Sequence, residues 1–277
     1  MELSKQIKTK IVATLGPASA NYEIITELIK AGVSMFRLNT SHGSEEMHKS
    51  NIELIRKASA EQKKYIPVLV DLQGPKIRVG NIPAPVEIRK GMEITLTPNE
   101  DYDKTTEIPV DYKDIAKDVN VGDKIMLDDG KIGLEVLAIN ENKVKTKVLY
   151  GKEIKPRKGI NVPTAAASLS AVTPRDVKYI KFAIENKASY LALSFVRNKE
   201  DIELAKKYLK EFGGNIPIIA KIEKPQAVEN LDSIMKISDG VMVARGDLGI
   251  ELSPEDVPIV QKTIIAKAQQ ERKVCIV

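Results

Sequence analysis

The 277-residue sequence contains no tryptophan, one cysteine and two histidines, and aromatic residues make up only 4% of it. A single cysteine, Cys275, excludes an internal disulfide framework and suits a reducing cytoplasm, the expected location. His42 and His48 lack the further partners that a zinc site needs. The shortage of aromatics argues against a nucleic-acid module, which pairs stacking rings with a clustered basic stripe. Here the lysines and arginines are scattered along the chain instead. No apolar run approaches membrane-spanning length, and the first ten residues, MELSKQIKTK, hold no apolar signal core. Neither a membrane nor a nucleic acid is therefore an expected partner.

What the chain does have is an ordinary globular balance, 43% hydrophobic and 29% charged, with a net charge of +5 that would help attract phosphorylated metabolites or nucleic acid but, being spread along the chain, reads mostly as a solvated surface. Apolar runs alternate with helical periodicity. KIVATLG, SMFRLN and YIPVLVD read as strands. Between them lie a helix carrying Ile24, Ile25, Leu28 and Ile29 and another starting near Ser44 with Met47, Leu54, Ile55 and Ala58 on its apolar face. Such a βαβαβ rhythm predicts a parallel sheet. From Gly74 to Pro163 the helical pattern disappears, and short alternating runs punctuated by DDGK and NENK turns read as an all-β insert. The rhythm then resumes. Thr173 and Pro174 open a helix, YLALSFV, IPIIAKIE and DGVMVARGD are further strands, and KVCIV is a seventh.

The expected fold is α/β, a (β/α)8 TIM-type barrel lacking its last strand, with a small all-β barrel inserted after strand three. Residues 1–73 and 164–277 form the barrel parts and 74–163 the insert. One strand too few also suggests the N-terminal portion of a longer protein, with a naturally shortened relative as the alternative.

Polar residues cluster just after the apolar runs: Arg37, Asn39 and Ser41 after the second, Asp71 after the third, Lys221 and Glu223 after the fifth, Asp247 after the sixth. In a (β/α)8 barrel these positions share the rim where active sites are built. Glu223 and Asp247 are hard oxygen donors suited to Mg²⁺. Lys221, two residues from Glu223 on an extended chain, points to the same side and is placed to meet negative charge. Arg37 and Arg78 suit phosphate, because guanidinium binds its oxygens bidentately. Together they suggest metal-assisted phosphoryl chemistry on a carboxylated substrate. Plainer readings apply elsewhere. His48 reads as a surface residue, Cys275 as inert core, Asp128 and Asp129 as a hairpin turn, and Lys221–Glu223 could be a structural ion pair.

TKIVATLGPAS, FRLNTSHG, DLQGPKIRVG, KGINVP, LSFVRN, IIAKIEKPQAVENLDSIMKISDGVMVARGDLGIEL and VPIVQKTIIAKAQ, in this order, make the sequence resemble the pyruvate kinase family along nearly its whole length. The resemblance implies Mg²⁺-dependent (or Mn²⁺-dependent) transfer of phosphate from phosphoenolpyruvate to ADP in glycolysis, giving pyruvate and ATP, and a homo-oligomer in the full-length protein. It implies that Arg37 binds the substrate phosphate and Lys221 stabilises the group in transit. Glu223 and Asp247 would hold the metal, with Gly246 offering a backbone contact to substrate. Arg78, Lys158 and, more remotely, His42 would contact nucleotide across a lid formed by the insert. Asn39, Ser41, Asp71 and the Leu72 carbonyl match a monovalent-cation site. Family members that need K⁺ carry Thr-Lys-Gly-Pro-Glu after the aspartate, whereas this chain has Leu72-Gln73-Gly74-Pro75-Lys76. The Lys76 ammonium is expected to supply the missing charge, so that K⁺ is not required. The threonine of the family's next motif is absent from this chain, so weak or no turnover is expected of residues 1–277 alone. Two other readings stay open: another Mg²⁺-dependent barrel enzyme handling a pyruvate enolate, or a non-catalytic binding relative.

Overall fold

The computed structural model describes residues 9–162 and 169–277. Its first five elements are β1 (Ile11–Thr14), α1 (Tyr22–Lys30), β2 (Val33–Asn39), α2 (Glu45–Glu61) and β3 (Val68–Asp71). Nine short strands follow without a helix between Leu72 and Val162: β4 (Ile77–Arg78), β5 (Val86–Glu87), β6 (Glu93–Thr97), β7 (Glu107–Pro109), β8 (Lys124–Leu127), β9 (Ile132–Asn140), β10 (Lys143–Tyr150), β11 (Glu153–Ile154) and β12 (Gly159–Asn161). Then come α3 (Pro174–Glu185), β13 (Tyr190–Leu193), α4 (Lys199–Glu211), β14 (Ile218–Ile222), α5 (Pro225–Glu229), α6 (Leu231–Ile237), β15 (Gly240–Val243), α7 (Arg245–Glu251), α8 (Val257–Gln270) and β16 (Val274–Ile276).

All the pairings in the sheet β1-β2-β3-β13-β14-β15-β16 are parallel, with helices as crossovers. The chain is thus an α/β protein built on a curled parallel sheet. A second sheet, β4-β12-β8-β9-β10-β6-β7, is mostly antiparallel and comes entirely from the stretch expected to be an insert. Each sheet has its own apolar cluster, one around Phe36, Ile55 and Ile218, the other around Leu96, Ile125 and Leu134. The expected 163/164 boundary lies outside the described residues.

Strand alternation sorts the parallel sheet into two faces. Phe36 and Leu38, Val68 and Val70, Leu191 and Leu193, and Ile218 and Ala220 pack into the large cluster beneath the helices. Leu69, Ala192, Ile219 and Met242 form a small separate cluster on the opposite, inner face. Moving along the strands from that inner cluster, the next residues two positions on are Asp71, Ser194 and Lys221. The face changes from apolar to ionic within one step of the pleat.

Local chemistry explains the helix starts. Asn21, Ser44, Thr173 and Asn198 each cap a helix by accepting a backbone N–H, and Thr173 with Asp176 completes a capping box. Three expectations need correction. The buried stripe of α2 runs through His48, Asn51, Ile52, Ile55, Ala58 and Ser59, whereas Met47 is exposed. His48 is therefore not a surface residue: it is edge-on to Tyr179, shares a hydrogen bond of 2.8 Å with the His42 carbonyl, and burial lowers its pKa. DGVMVARGD is not all strand either, since β15 stops at Val243 and Arg245-Gly246-Asp247 is the first turn of α7.

Candidate active site

β14 is buried at every position, yet its alternate residues have different surroundings. Ile218, Ala220 and Ile222 face the helices, while Ile219, Lys221 and then Glu223 follow the inner face. Lys221 and Glu223 consequently meet, with Nζ 2.7 Å from Oε1. Lys221 also lies 3.3 Å from Asp71 Oδ1 and donates to Ser194 Oγ at 2.7 Å. Burial works against the Lys221 charge, but Glu223 and Asp71 outweigh it and hold the ammonium above the ordinary lysine range. At neutral pH this group is a fixed positive charge rather than a proton donor.

The neighbouring strands build the rest of the floor. Asp71, 1% exposed, receives the Arg37 guanidinium through Nε at 2.6 Å and Nη2 at 2.5 Å, and Arg37 Nη1 donates to Thr14 Oγ1 at 3.0 Å. Asn39 pairs in register with Asp71 and accepts the Ser41 N–H at 3.1 Å. The Leu72 carbonyl accepts the Ser194 hydroxyl at 2.7 Å. Glu223 is gripped at its second oxygen by the Phe195 N–H, 2.8 Å away. Phe195 holds a left-handed backbone, φ 56°, unusual for a bulky residue and of the kind that accumulates at functional sites.

Asp247 comes from the first turn of α7. Burial and the like charge of Glu223 push its carboxyl above the usual aspartate range, while Lys221 and Lys76 pull the other way. Two hard carboxylates lining one cavity are side chains that could hold a divalent cation. Among the described residues no cluster of three or more histidine, cysteine or acidic side chains forms a fuller metal cage. A two-carboxylate site suits Mg²⁺, which keeps several waters and takes its remaining oxygens from substrate.

The second sheet supplies the opposite wall. Arg78, Asp128, Asp129, Arg157 and Lys158 line the same cavity, of about 310 Å³, as Arg37, Lys221, Glu223 and Asp247. Lys158 pairs with Asp128 at 2.8 Å, and Arg78 Nη1 donates to the Arg157 carbonyl at 3.1 Å. Lys76 reaches in from the connecting segment, 3.8 Å from Asp129. Asp128, Asp129 and Gly130 all have positive φ, which makes the expected tight hairpin and turns both carboxylates toward this space.

The structure thus brings together Arg37, Asn39, Ser41, His42, Leu72, Lys76, Arg78, Lys158, Lys221, Glu223 and Asp247 around one cavity. Asp71 sits beneath it, bonded to Arg37, and Gly246 precedes Asp247 on α7 with no heavy atom near its missing side chain. Sequence reasoning missed Gln73, Arg157, Ser194 and Phe195. Ser194 follows directly on β13 at the same depth as Asp71 and Lys221, so strand alternation could have found it. Phe195 acts through its backbone N–H and left no side-chain signal.

A cavity floored by buried charges at the carboxyl ends of parallel strands, and faced by cations of a second sheet, defines an α/β protein equipped for an anionic ligand. The family description "Pyruvate kinase, barrel domain" matches residues 6–277. Pyruvate kinase of Thermotoga maritima is 44% identical over 270 residues, 97% of this chain and 58% of the relative. That of Thermococcus litoralis is 43% identical over 274 residues, 99% and 58% respectively, and that of Staphylococcus aureus strain MRSA252 is 41% identical over 266, 95% and 46%. The chain belongs to the pyruvate kinase family. It spans about half the length of these curated relatives.

Proposed function

We propose that the cavity is a site for Mg²⁺-dependent phosphoryl transfer between phosphoenolpyruvate and ADP, with the parallel sheet as the first seven strands of a (β/α)8 barrel and residues 74–163 as its lid. The observation that carries this reading is the convergence of Arg37, Lys221, Glu223 and Asp247 with Arg78 and Lys158 on one space. Arg37, anchored edge-on by Asp71, keeps its orientation for the substrate phosphate. Lys221 presents a permanently charged, buried ammonium where negative charge passes between phosphate and enolate, and needs no reorganisation to do so. Glu223 and Asp247 would hold Mg²⁺, or Mn²⁺ in its place, which would neutralise phosphate charge when bound. Gly246 leaves its backbone N–H approachable by a substrate carboxylate. Arg78, Lys158 and His42 serve the nucleotide, and closure of the lid would exclude water from the transfer.

Asn39, Ser41, Asp71 and Leu72 would form a monovalent-cation site in this reading, but Asp71 is already met by Arg37 and Lys221, and Lys76 adds a further cation to the cavity. K⁺ is therefore dispensable in this reading.

Calorimetric titration of phosphoenolpyruvate into the protein tests both statements. Binding is expected with Mg²⁺ present, unchanged when K⁺ is replaced by tetramethylammonium, and weakened at least tenfold in Arg37→Ala, the loss of a charge-assisted pair. Equal binding by the Arg37→Ala protein would sink the phosphate assignment.

A further inference from the structure

A second buried charge pair lies behind the metal carboxylates. Lys224 Nζ is 2.7 Å from Glu251 Oε1, with side-chain exposures of 6% and 1%. Asn161 Nδ2 donates to the same oxygen at 3.0 Å. The three residues come from three segments that each carry part of the site. Lys224 immediately follows Glu223, Glu251 ends α7 four residues after Asp247, and Asn161 ends β12 three residues after Lys158.

We propose that Lys224 and Glu251 are positioning residues that fix the separation of Glu223 and Asp247, a step beyond the metal reading above and dependent on it. α7 has seven residues, two of them glycine, and is too short and too poor in helix formers to hold its own direction. Residues four apart share a helix face, so the clamp on Glu251 sets the side of α7 that presents Asp247. On the other arm, Lys224 lies 5.8 Å from the Phe195 ring centroid, and the Phe195 N–H holds Glu223. One ion pair therefore reaches both carboxylates without touching a ligand.

The energetics separate this role from simple cohesion. Burying an ion pair costs several kcal/mol per ion, and apolar replacements of such pairs are often neutral or stabilising. The second Glu251 oxygen, Oε2, is buried with no hydrogen-bond partner among the described residues, an added penalty. A pair kept for stability alone would do better as two hydrocarbons. A pair kept for geometry would not.

The experiment is titration of Mn²⁺ alone, followed by electron paramagnetic resonance, into the wild type and the Lys224→Met/Glu251→Leu double variant, with thermal melts of both metal-free proteins. Outer partners of metal ligands affect affinity about 10–100-fold. The double variant is expected to melt at or above the wild-type temperature yet bind Mn²⁺ more weakly by that factor. Equal Mn²⁺ affinity overturns the proposal, whatever the melting temperature does. Should the double variant not fold, Lys224→Arg, which keeps the charge but shifts the donor, is read by the same criterion. A wild type that binds no Mn²⁺ overturns the metal reading itself, so the two failures are distinguishable.

Discussion

Lys221 and Asp247 show how one cavity holds one buried group charged and pushes another toward neutrality. Lys221 stays charged because two carboxylates more than offset its burial. Asp247 meets burial and the Glu223 charge together, and its carboxyl is raised above the usual value of 3.8. The sign of the consequence follows from linkage. Between the ordinary and the raised pKa the folded state binds more protons than the unfolded one, so stability from this group is full below 3.8 and lost as pH rises through the raised value. Ionised Asp247 therefore destabilises the metal-free protein at neutral pH. Asp247→Asn is expected to raise the metal-free melting temperature at pH 7, with the gap closing toward pH 4, while Mn²⁺ binding falls. Melts across this pH range check it. A lower melting temperature at pH 7 would count against the crowded-carboxylate picture.

At the scale of elements, the site depends on backbone turns as much as on side chains. Gly74 has φ 69°, and a Cβ there would stand 2.7 Å from the Phe195 ring, whose left-handed residue donates its N–H to Glu223. Gly74→Ala is expected to cost about 1–3 kcal/mol, read by urea denaturation, and to loosen the Glu223 grip. A loss under about 0.5 kcal/mol, the range of an ordinary surface change, would show that the turn is not strained by design. Such features explain what was legible in the sequence. Strands with unbroken apolar runs, such as Val68–Val70 and Ile218–Ala220, announced themselves, and so did the helices opened by Ser44 and Thr173. The switch to an all-β stretch after Gly74 was equally plain from lost helical periodicity. α7 was not, because RGDLGIE has low helix propensity and takes its direction from the buried Glu251. His48 was misplaced because polarity, rather than its position four residues before Ile52 on one stripe, governed the expectation. Arg37, Lys221, Glu223 and Asp247 were visible as charges interrupting or following apolar strands. Ser194 and Phe195 were not, since a hydroxyl and a backbone N–H carry no such contrast.

Across the whole molecule, two separately cored sheets meet at one charged space. The parallel sheet contributes Arg37, Lys221 and Glu223 from its strand ends, and the second sheet contributes Arg78 and Lys158. In the proposed function the two sets are complementary, the floor for metal and substrate phosphate and the wall for nucleotide. No helix among the described residues is long and apolar enough to cross a membrane, and the large apolar clusters are spent on the two cores. The central claim is that the Lys221–Glu223 pair belongs to the metal site rather than to the scaffold. Mn²⁺ titration of wild type and Glu223→Gln, followed by electron paramagnetic resonance, tests it most directly. The account predicts one tight site in the wild type and at least about a tenfold loss in the variant, whose metal-free fold persists. Undiminished Mn²⁺ binding in a Glu223→Gln protein that has only lost stability would contradict it.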